Sequence, residues 1–338
     1  MVYSIYTKVK FIYLNIFIDD MKAQKSHFSG QKNEKEAMES RKVQVVGNNS
    51  YAVSLPKKWI LSNHIKNHDI IFMNITDNNE LILTKSINSQ SNAKKVLIHV
   101  DDKNIDTLTE FIMFCYVKSI DHIKVTSKTI DHNILHSIQS AIKYLEGYSI
   151  THEDETSVEI SFLFNDIQTN IKTIQLRMYY LIKLHVSSLE NKQYKILEET
   201  EHAVDRMFYL SRRVLLSCMS DYSKKTENGI KNEEDILYLQ IISKRMESIS
   251  DNILRMRTMD PSKSDIATLS KIIVFLGKLM SQKEEATRIK SEFEKITISS
   301  KNHQAFARLN RIHDLCRDAF DAKINMEFNE KIKDYAVK

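Results

Sequence analysis

Residues 41–59 read R-K-V-Q-V-V-G-N-N-S-Y-A-V-S-L-P-K-K-W, Arg41 through Trp59. Val43 and Val45, then Tyr51, Val53 and Leu55, alternate with period 2, the spacing of a strand with one apolar face. Gly47-Asn48-Asn49 between them is a turn signal, so the stretch predicts a hairpin. Pro56 presets the backbone for a first helical turn, and Lys57–Asn63 follows as a short helix. Farther on, Ile70–Ile75 and Glu80–Thr84 flank Asp77-Asn78-Asn79 as a second hairpin. Four short strands in about 45 residues bury too little apolar surface to stand alone, which predicts association with a second copy.

The same segment carries the charge. The 338 residues hold 49 Lys and Arg against 44 Asp and Glu, a net charge of +5. Between Arg41 and His68 lie Arg41, Lys42, Lys57, Lys58 and Lys66 and no acidic residue, so this window alone equals the whole excess. A basic excess confined to one segment is the footprint of a polyanion contact.

Outward from this segment the chain changes character. Residues 1–37 read as a disordered or over-extended leader, with Met21 and Met38 as alternative starts. Its apolar run, Phe11–Ile18, is far shorter than the ~20 residues of a membrane helix, and no small-residue cleavage site follows it. After the β-rich module (38–90), residues 95–164 alternate strand and helix: Val96–Val100, Ile105–Lys118, Asp121–Val125, Ile130–Leu145, then a hairpin of Tyr148–His152 and Ser157–Phe164. From 165 to 335 the apolar period is near 3.6, in segments 166–190, 194–221, 232–259, 264–297 and 302–332. Breaks fall at Asn191-Lys192, Thr226–Gly229, Asp260-Pro261 and Ser299-Ser300. Long helices on short connections predict an antiparallel bundle. The fold class is mainly α: a β-rich N-terminal module, a small α+β unit and a C-terminal helical bundle.

Composition excludes several chemistries. With 5 glycines, all widely separated, neither G-x-G-x-x-G nor a Walker A loop can occur. Three distant cysteines without C-x-x-C disfavour a disulfide framework and a Cys-based zinc site and point to a reducing, cytoplasmic compartment. G-x-S-x-G and H-E-x-x-H are absent, and Glu199–His202 is an unpaired Glu-x-x-His, so neither a hydrolase nor a ferritin-like di-iron site is expected. No enzyme is expected.

Two acid pairs stand out in the helical part: Glu201/Asp205 and Glu247/Asp251. Each is an acid-x-x-x-acid, which puts both carboxylates 40° apart on a helical wheel. The first borders Leu197, Val204 and Phe208, the second Ile236, Leu239 and Leu254. Chance alone supplies several such pairs in a chain this acidic, so position matters more than spacing. The midpoint between the pairs is residue 226, inside the predicted turn. Two antiparallel helices joined there bring the pairs to one height, each roughly 23 Å from the turn at 1.5 Å per residue. Carboxylates gathered at the edge of an apolar stripe need a cation. Hard oxygen ligands suit iron, manganese, magnesium or calcium better than copper. The alternative is that both pairs face solvent or pair with Arg206, Arg212 and Arg245. Asp314/Asp318 is a degenerate third pair, and Tyr179-Tyr180 reads as core.

The Arg41–Trp59 stretch resembles the DNA-binding module of the AbrB/SpoVT/MazE class, in the version fused to archaeal PhoU-like regulators. It departs from that class after the short helix, where Gly-Asp is usual and His68-Asp69 stands here. The resemblance implies a dimer that interleaves hairpins into one swapped barrel, with Arg41, Lys42, Lys57 and Lys58 contacting DNA. The lysines lie beside a helix start, whose backbone N–H groups also favour phosphate. The helical part resembles the PhoU family, whose E-x-x-x-D pairs hold clusters of metal ions. The matching stretches are Glu201–Asp205 with D-R-M-F-Y-L-S-R-R after it, and K-R-M-E-S-I-S-D-N-I around Glu247–Asp251. Asn252 replaces the His often found in the second pair.

The resemblance therefore implies a cytoplasmic regulator of phosphate uptake: a DNA-binding homodimer whose bundle senses metal, iron or manganese first, or meets signalling partners. The alternative is an adaptor without an operator, docking on a phosphate transporter or kinase. Neither reading inserts into a membrane.

Overall fold

The computed structural model describes residues 39–47, 50–75, 80–85, 94–101, 104–163, 170–281 and 285–335. The 1–37 leader and the Asn48-Asn49 and Asp77–Asn79 turns lie outside the described residues. The chain divides into two compact units, Met1–Ser89 and Gln90–Lys338.

In the first unit β1 (Gln44–Val46) pairs antiparallel with β2 (Ser50–Ala52), and β3 (Phe72–Ile75) with β4 (Leu81–Thr84). Between them sits α1 (Lys57–Ser62), entered from an extended Pro56 as expected. The hairpins form two separate two-stranded sheets. Much apolar surface stays in the open: Val45, Tyr51, Met73 and Ile75 of the strands, and Ile70 just ahead of β3, are each at least 69 % exposed. Lys85 Nζ closes the end of α1, donating to the carbonyls of Asn63 and His64 at 3.1 and 2.8 Å. His68 has φ = 71°, the left-handed region that favours glycine, while Asp69 accepts from the Lys66 N–H at 2.9 Å. The turn keeps a glycine's conformation without the glycine. Replacing His68 by Gly should relieve about 1 kcal/mol of this strain, less what a freer unfolded chain gains. A melting midpoint that rises slightly, or at least does not fall, is the expected reading.

The second unit begins with a four-stranded sheet in the order β5-β6-β8-β7: β5 (Lys95–His99), β6 (His122–Thr126), β7 (Tyr148–Glu153) and β8 (Ser157–Phe162). β5 runs parallel to β6 and the remaining pairs are antiparallel. The helices α2 (Leu108–Val117) and α3 (His132–Ile142) share its core with Ile112, Tyr116, Val125, Ile138 and Ile160, all fully buried. Asp131 caps α3, accepting from the Ile134 N–H at 2.9 Å.

Seven helices follow among the described residues: α4 (Ile171–Glu190), α5 (Tyr194–Ser220), α6 (Tyr222–Glu227), α7 (Glu233–Met256), α8 (Lys263–Ser281), α9 (Ala286–Phe293) and α10 (His303–Tyr335). The expected single helix 264–297 is two, because the chain turns extended at Glu285 (φ −64°, ψ 136°) before α9 begins. A short α6, capped by Asp221, runs into the start of the expected turn at Thr226–Gly229, and Gly229 follows it at φ = 66°. Asp260 takes the left-handed conformation ahead of Pro261 and ends the α7 segment where expected. α5 packs on α4 and α7, and α10 on α7 and α8, around a core that includes Met178, Leu197, Val204, Met246 and Phe293. Tyr179 lies against Gly277 of α8, at a distance that leaves no room for a β-carbon. Tyr180, expected in the core beside it, is exposed because it points off the α4 contact face.

The α+β unit and the bundle meet at Arg213 of α5, which is 7 % exposed. Its guanidinium donates to the Tyr116 and Ile120 carbonyls at 2.8 and 3.1 Å and pairs with Asp121 at 2.6 Å. It also lies 4.0 Å over the Phe162 ring. Cys115, Cys218 and Cys316 are free and buried, and burial pushes each thiol up, Cys115 and Cys218 to about 11. Such thiols are inert. Among the described residues no helix is long and apolar enough to cross a membrane.

Candidate functional site

α5 and α7 bring the two acid pairs together. Leu197, Val204 and Phe208 anchor one face of α5 in the core, so Glu201 and Asp205 ride the edge of that face. On α7 the buried Met246, Ile249 and Ile253 do the same for Glu247 and Asp251. Glu247 is fully buried and Asp205 6 % exposed. Asp251 and Asp205 both lie close enough to Glu201 to act on its carboxyl, while Glu247 adds its field to all three. The pairing of 201 with 251 is what antiparallel helices joined near residue 226 require.

The electrostatics follow from burial and crowding. Burial, then the neighbouring Asp251, pushes the Glu201 carboxyl up to about 7. Burial and then Glu201, Glu247 and Asp251 hold Asp205 well above its ordinary range. Asp251 is raised too, by burial and Glu247, with Arg255 and Lys244 opposing. Lys244 Nζ lies 2.5 Å from Glu247 Oε2 and 5.1 Å over the Phe208 ring; Arg255 reaches Asp251 at 3.6 Å. Two of the arginines considered as alternative partners go elsewhere, Arg206 to Glu146 at 3.4 Å and Arg245 to Asp318 at 3.0 Å. That second contact, with Asp314 to Arg317 at 2.8 Å, also ties up the degenerate third pair.

Sequence reasoning weighed His202 only with Glu199 and missed its place beside Glu201 and Asp205. Its Nδ1 lies 3.1 Å from Glu201 Oε2, and Glu201, His202 and Asp205 each offer a ligand atom within 4.8 Å of the others. Its Nε2 lies 3.3 Å from Lys143 Nζ and its ring meets Tyr144 edge-on at 5.5 Å, both at the exit of α3. Burial, with Lys143 and Arg206 nearby, holds the imidazole below its usual range. Among the described residues only Glu201, His202 and Asp205 meet that spacing; Glu247, held by Lys244, and Asp251 stand outside it and act on the group through their charge. Carboxylate oxygens are hard ligands, and a divalent cation would relieve their mutual repulsion.

In the first unit Arg41, Lys42, Lys57 and Lys58 are exposed. Arg41 pairs with Glu39, an acid just outside the basic window. That leaves Lys42, Lys57 and Lys58 as the stronger cationic candidates.

Residues 44–91 match the family described as Antidote-toxin recognition MazE, bacterial antitoxin. The N-terminal module is thus similar to a MazE-type antitoxin domain, the likeness that its sequence carries. The match ends at residue 91. No curated protein and no solved structure matches the chain.

Proposed function

We propose that the chain is a cytoplasmic DNA-binding regulator of phosphate uptake, whose PhoU-like bundle binds metal through Glu201, Asp205, Glu247 and Asp251. The observation that carries the reading is the convergence of two acid pairs, 46 positions apart in sequence, on one buried spot between α5 and α7. Iron and manganese are the preferred ions, with magnesium and calcium as further candidates. The resemblance of the helical part supplies phosphate uptake as the process regulated.

The MazE-type module supports the DNA-binding half. Two hairpins that leave Tyr51, Ile70 and Ile75 more than 70 % exposed need a second apolar surface. A second copy of this chain, interleaving its own hairpins into a shared barrel, is the proposed partner. The full chain should sediment as a dimer at micromolar concentration; a monomer there would remove the shared barrel.

DNA contact is tested with the purified protein and its own upstream DNA at several salt concentrations. Replacing Lys57 and Lys58 by Ala should weaken binding and lower the log–log salt slope by about 0.9 for each phosphate that a lysine had neutralised. Unchanged affinity and slope would make the lysines solvated surface. A dimer that binds no DNA at low salt would favour the adaptor reading, with a transporter or kinase as partner.

A further inference from the structure

We propose that His202 is a nitrogen ligand of this centre and that metal binding through it breaks its contact with Lys143, loosening the exit of α3 from α5. The inference rests on the metal-binding reading and adds to it a residue outside the paired-acid pattern.

The placement of His202 is the first support. The Nδ1 atom is buried and makes no hydrogen bond of sound geometry, although Glu201 Oε2 lies 3.1 Å away. A buried ring nitrogen facing carboxylates without a bond to any of them is a donor atom awaiting a partner. Imidazole is a borderline nitrogen ligand that suits iron, zinc, nickel and copper, whereas magnesium and calcium are satisfied by oxygen. A nitrogen in the set therefore tilts the centre toward transition metals.

Proton accounting links the ligand to Lys143. The Lys143 ammonium, 3.3 Å from Nε2, has only donors to offer, so Nε2 accepts and the single ring proton resides on Nδ1. A metal at Nδ1 requires the lone pair there, which moves the proton to Nε2. Nε2–H and the ammonium are then two donors facing each other, and the hydrogen bond between them ends. A metal at Nε2 displaces Lys143 directly. On either nitrogen, occupancy unties the α3 exit from α5 at this point, while Tyr144 and the Arg206–Glu146 pair remain. Occupancy is thereby reported from the bundle to the α+β unit.

The test uses the full-length protein loaded with Mn2+ as the probe and examined by pulsed electron paramagnetic resonance. Wild type should show nitrogen modulation from one imidazole, and His202→Gln should bind Mn2+ without it. Changing a mere partner of a metal ligand moves affinity about 10–100-fold, so removal of a direct ligand should weaken Mn2+ at least about tenfold. Mg2+ binding should change little. Lys143→Gln should tighten Mn2+ in wild type and do so far less in the His202→Gln background, the cycle that separates loss of a competitor from loss of charge. If His202→Gln does not fold, the modulation in wild type and the effect of Lys143→Gln still decide. Bound Mn2+ without nitrogen modulation, or with modulation that survives His202→Gln, overturns the role of His202 and leaves the carboxylate centre standing. Wild-type protein that binds no Mn2+ overturns both.

Discussion

Replacing Arg213 with Met should destabilise the protein by about 3–5 kcal/mol, the usual loss when one partner of a buried charge pair is removed. The guanidinium is 7 % exposed and satisfies three acceptors at once, two carbonyls and the Asp121 carboxylate. Met fills much of the volume and keeps apolar contact with the Phe162 ring, yet donates nothing. The Tyr116 and Ile120 carbonyls would lose their donor, and Asp121, 24 % exposed along its side chain, would keep its charge without its cation. The Ser119 backbone at this junction already sits at φ = 56°, a conformation that the surrounding bonds hold in place. Arg213→Lys should recover only part of the loss, because an ammonium cannot present the planar fork that reaches both the carbonyls and the carboxylate. Denaturant unfolding of the full chain measures the change. A loss under about 1 kcal/mol would reduce the junction to a surface-like ion pair.

What was legible in the sequence was periodic or positional. The 3.6 period located the long helices to within a few residues, and the alternation around Gly47 located the first hairpin. The register of the acid pairs followed from counting residues to the turn, since a helix converts sequence distance into height. Four things were hidden. The break between α8 and α9 carries no Gly or Pro, so no residue type marked it. Tyr180 follows a core Tyr179 in sequence, and adjacent residues on a helix point 100° apart, so the two cannot share one surface. His202 entered only as half of an unpaired Glu-x-x-His: its surroundings are set by Lys143 and Tyr144, more than 50 residues upstream, and by Glu201 one position before it. Arg213 was likewise just one basic residue in a flanking motif until the fold enclosed it.

The double substitution Glu247→Gln, Asp251→Asn should have opposite effects with and without metal. Without metal, Glu201, Asp205 and Asp251 are all raised by burial and by one another, so the folded protein holds protons that the unfolded chain releases. The sign is fixed by that inequality. Protonated, the cluster costs little; as pH rises from the ordinary carboxylate range through about 7, where Glu201 titrates, the cluster ionises against its neighbours and stability declines. In chelator, wild type should therefore lose more stability between pH 5 and pH 8 than the double variant, whose amides keep the shape and remove two of the charges. The variant should also melt higher than wild type at pH 8. Lys244 limits this gain, since it would lose the Glu247 carboxylate 2.5 Å away. With metal the order reverses. An ion that binds only the folded state stabilises it by RT ln(1 + [L]/Kd), about 2.7 kcal/mol at a hundredfold excess over Kd. Wild type should rise by that amount with added Mn2+ or Fe2+ and lose its decline toward pH 8, because the metal takes the place of the protons. The variant should show neither change. If wild type and variant have the same pH dependence in chelator and neither responds to metal, the four carboxylates repel less than their placement implies, and the bundle needs another account of why it buries them.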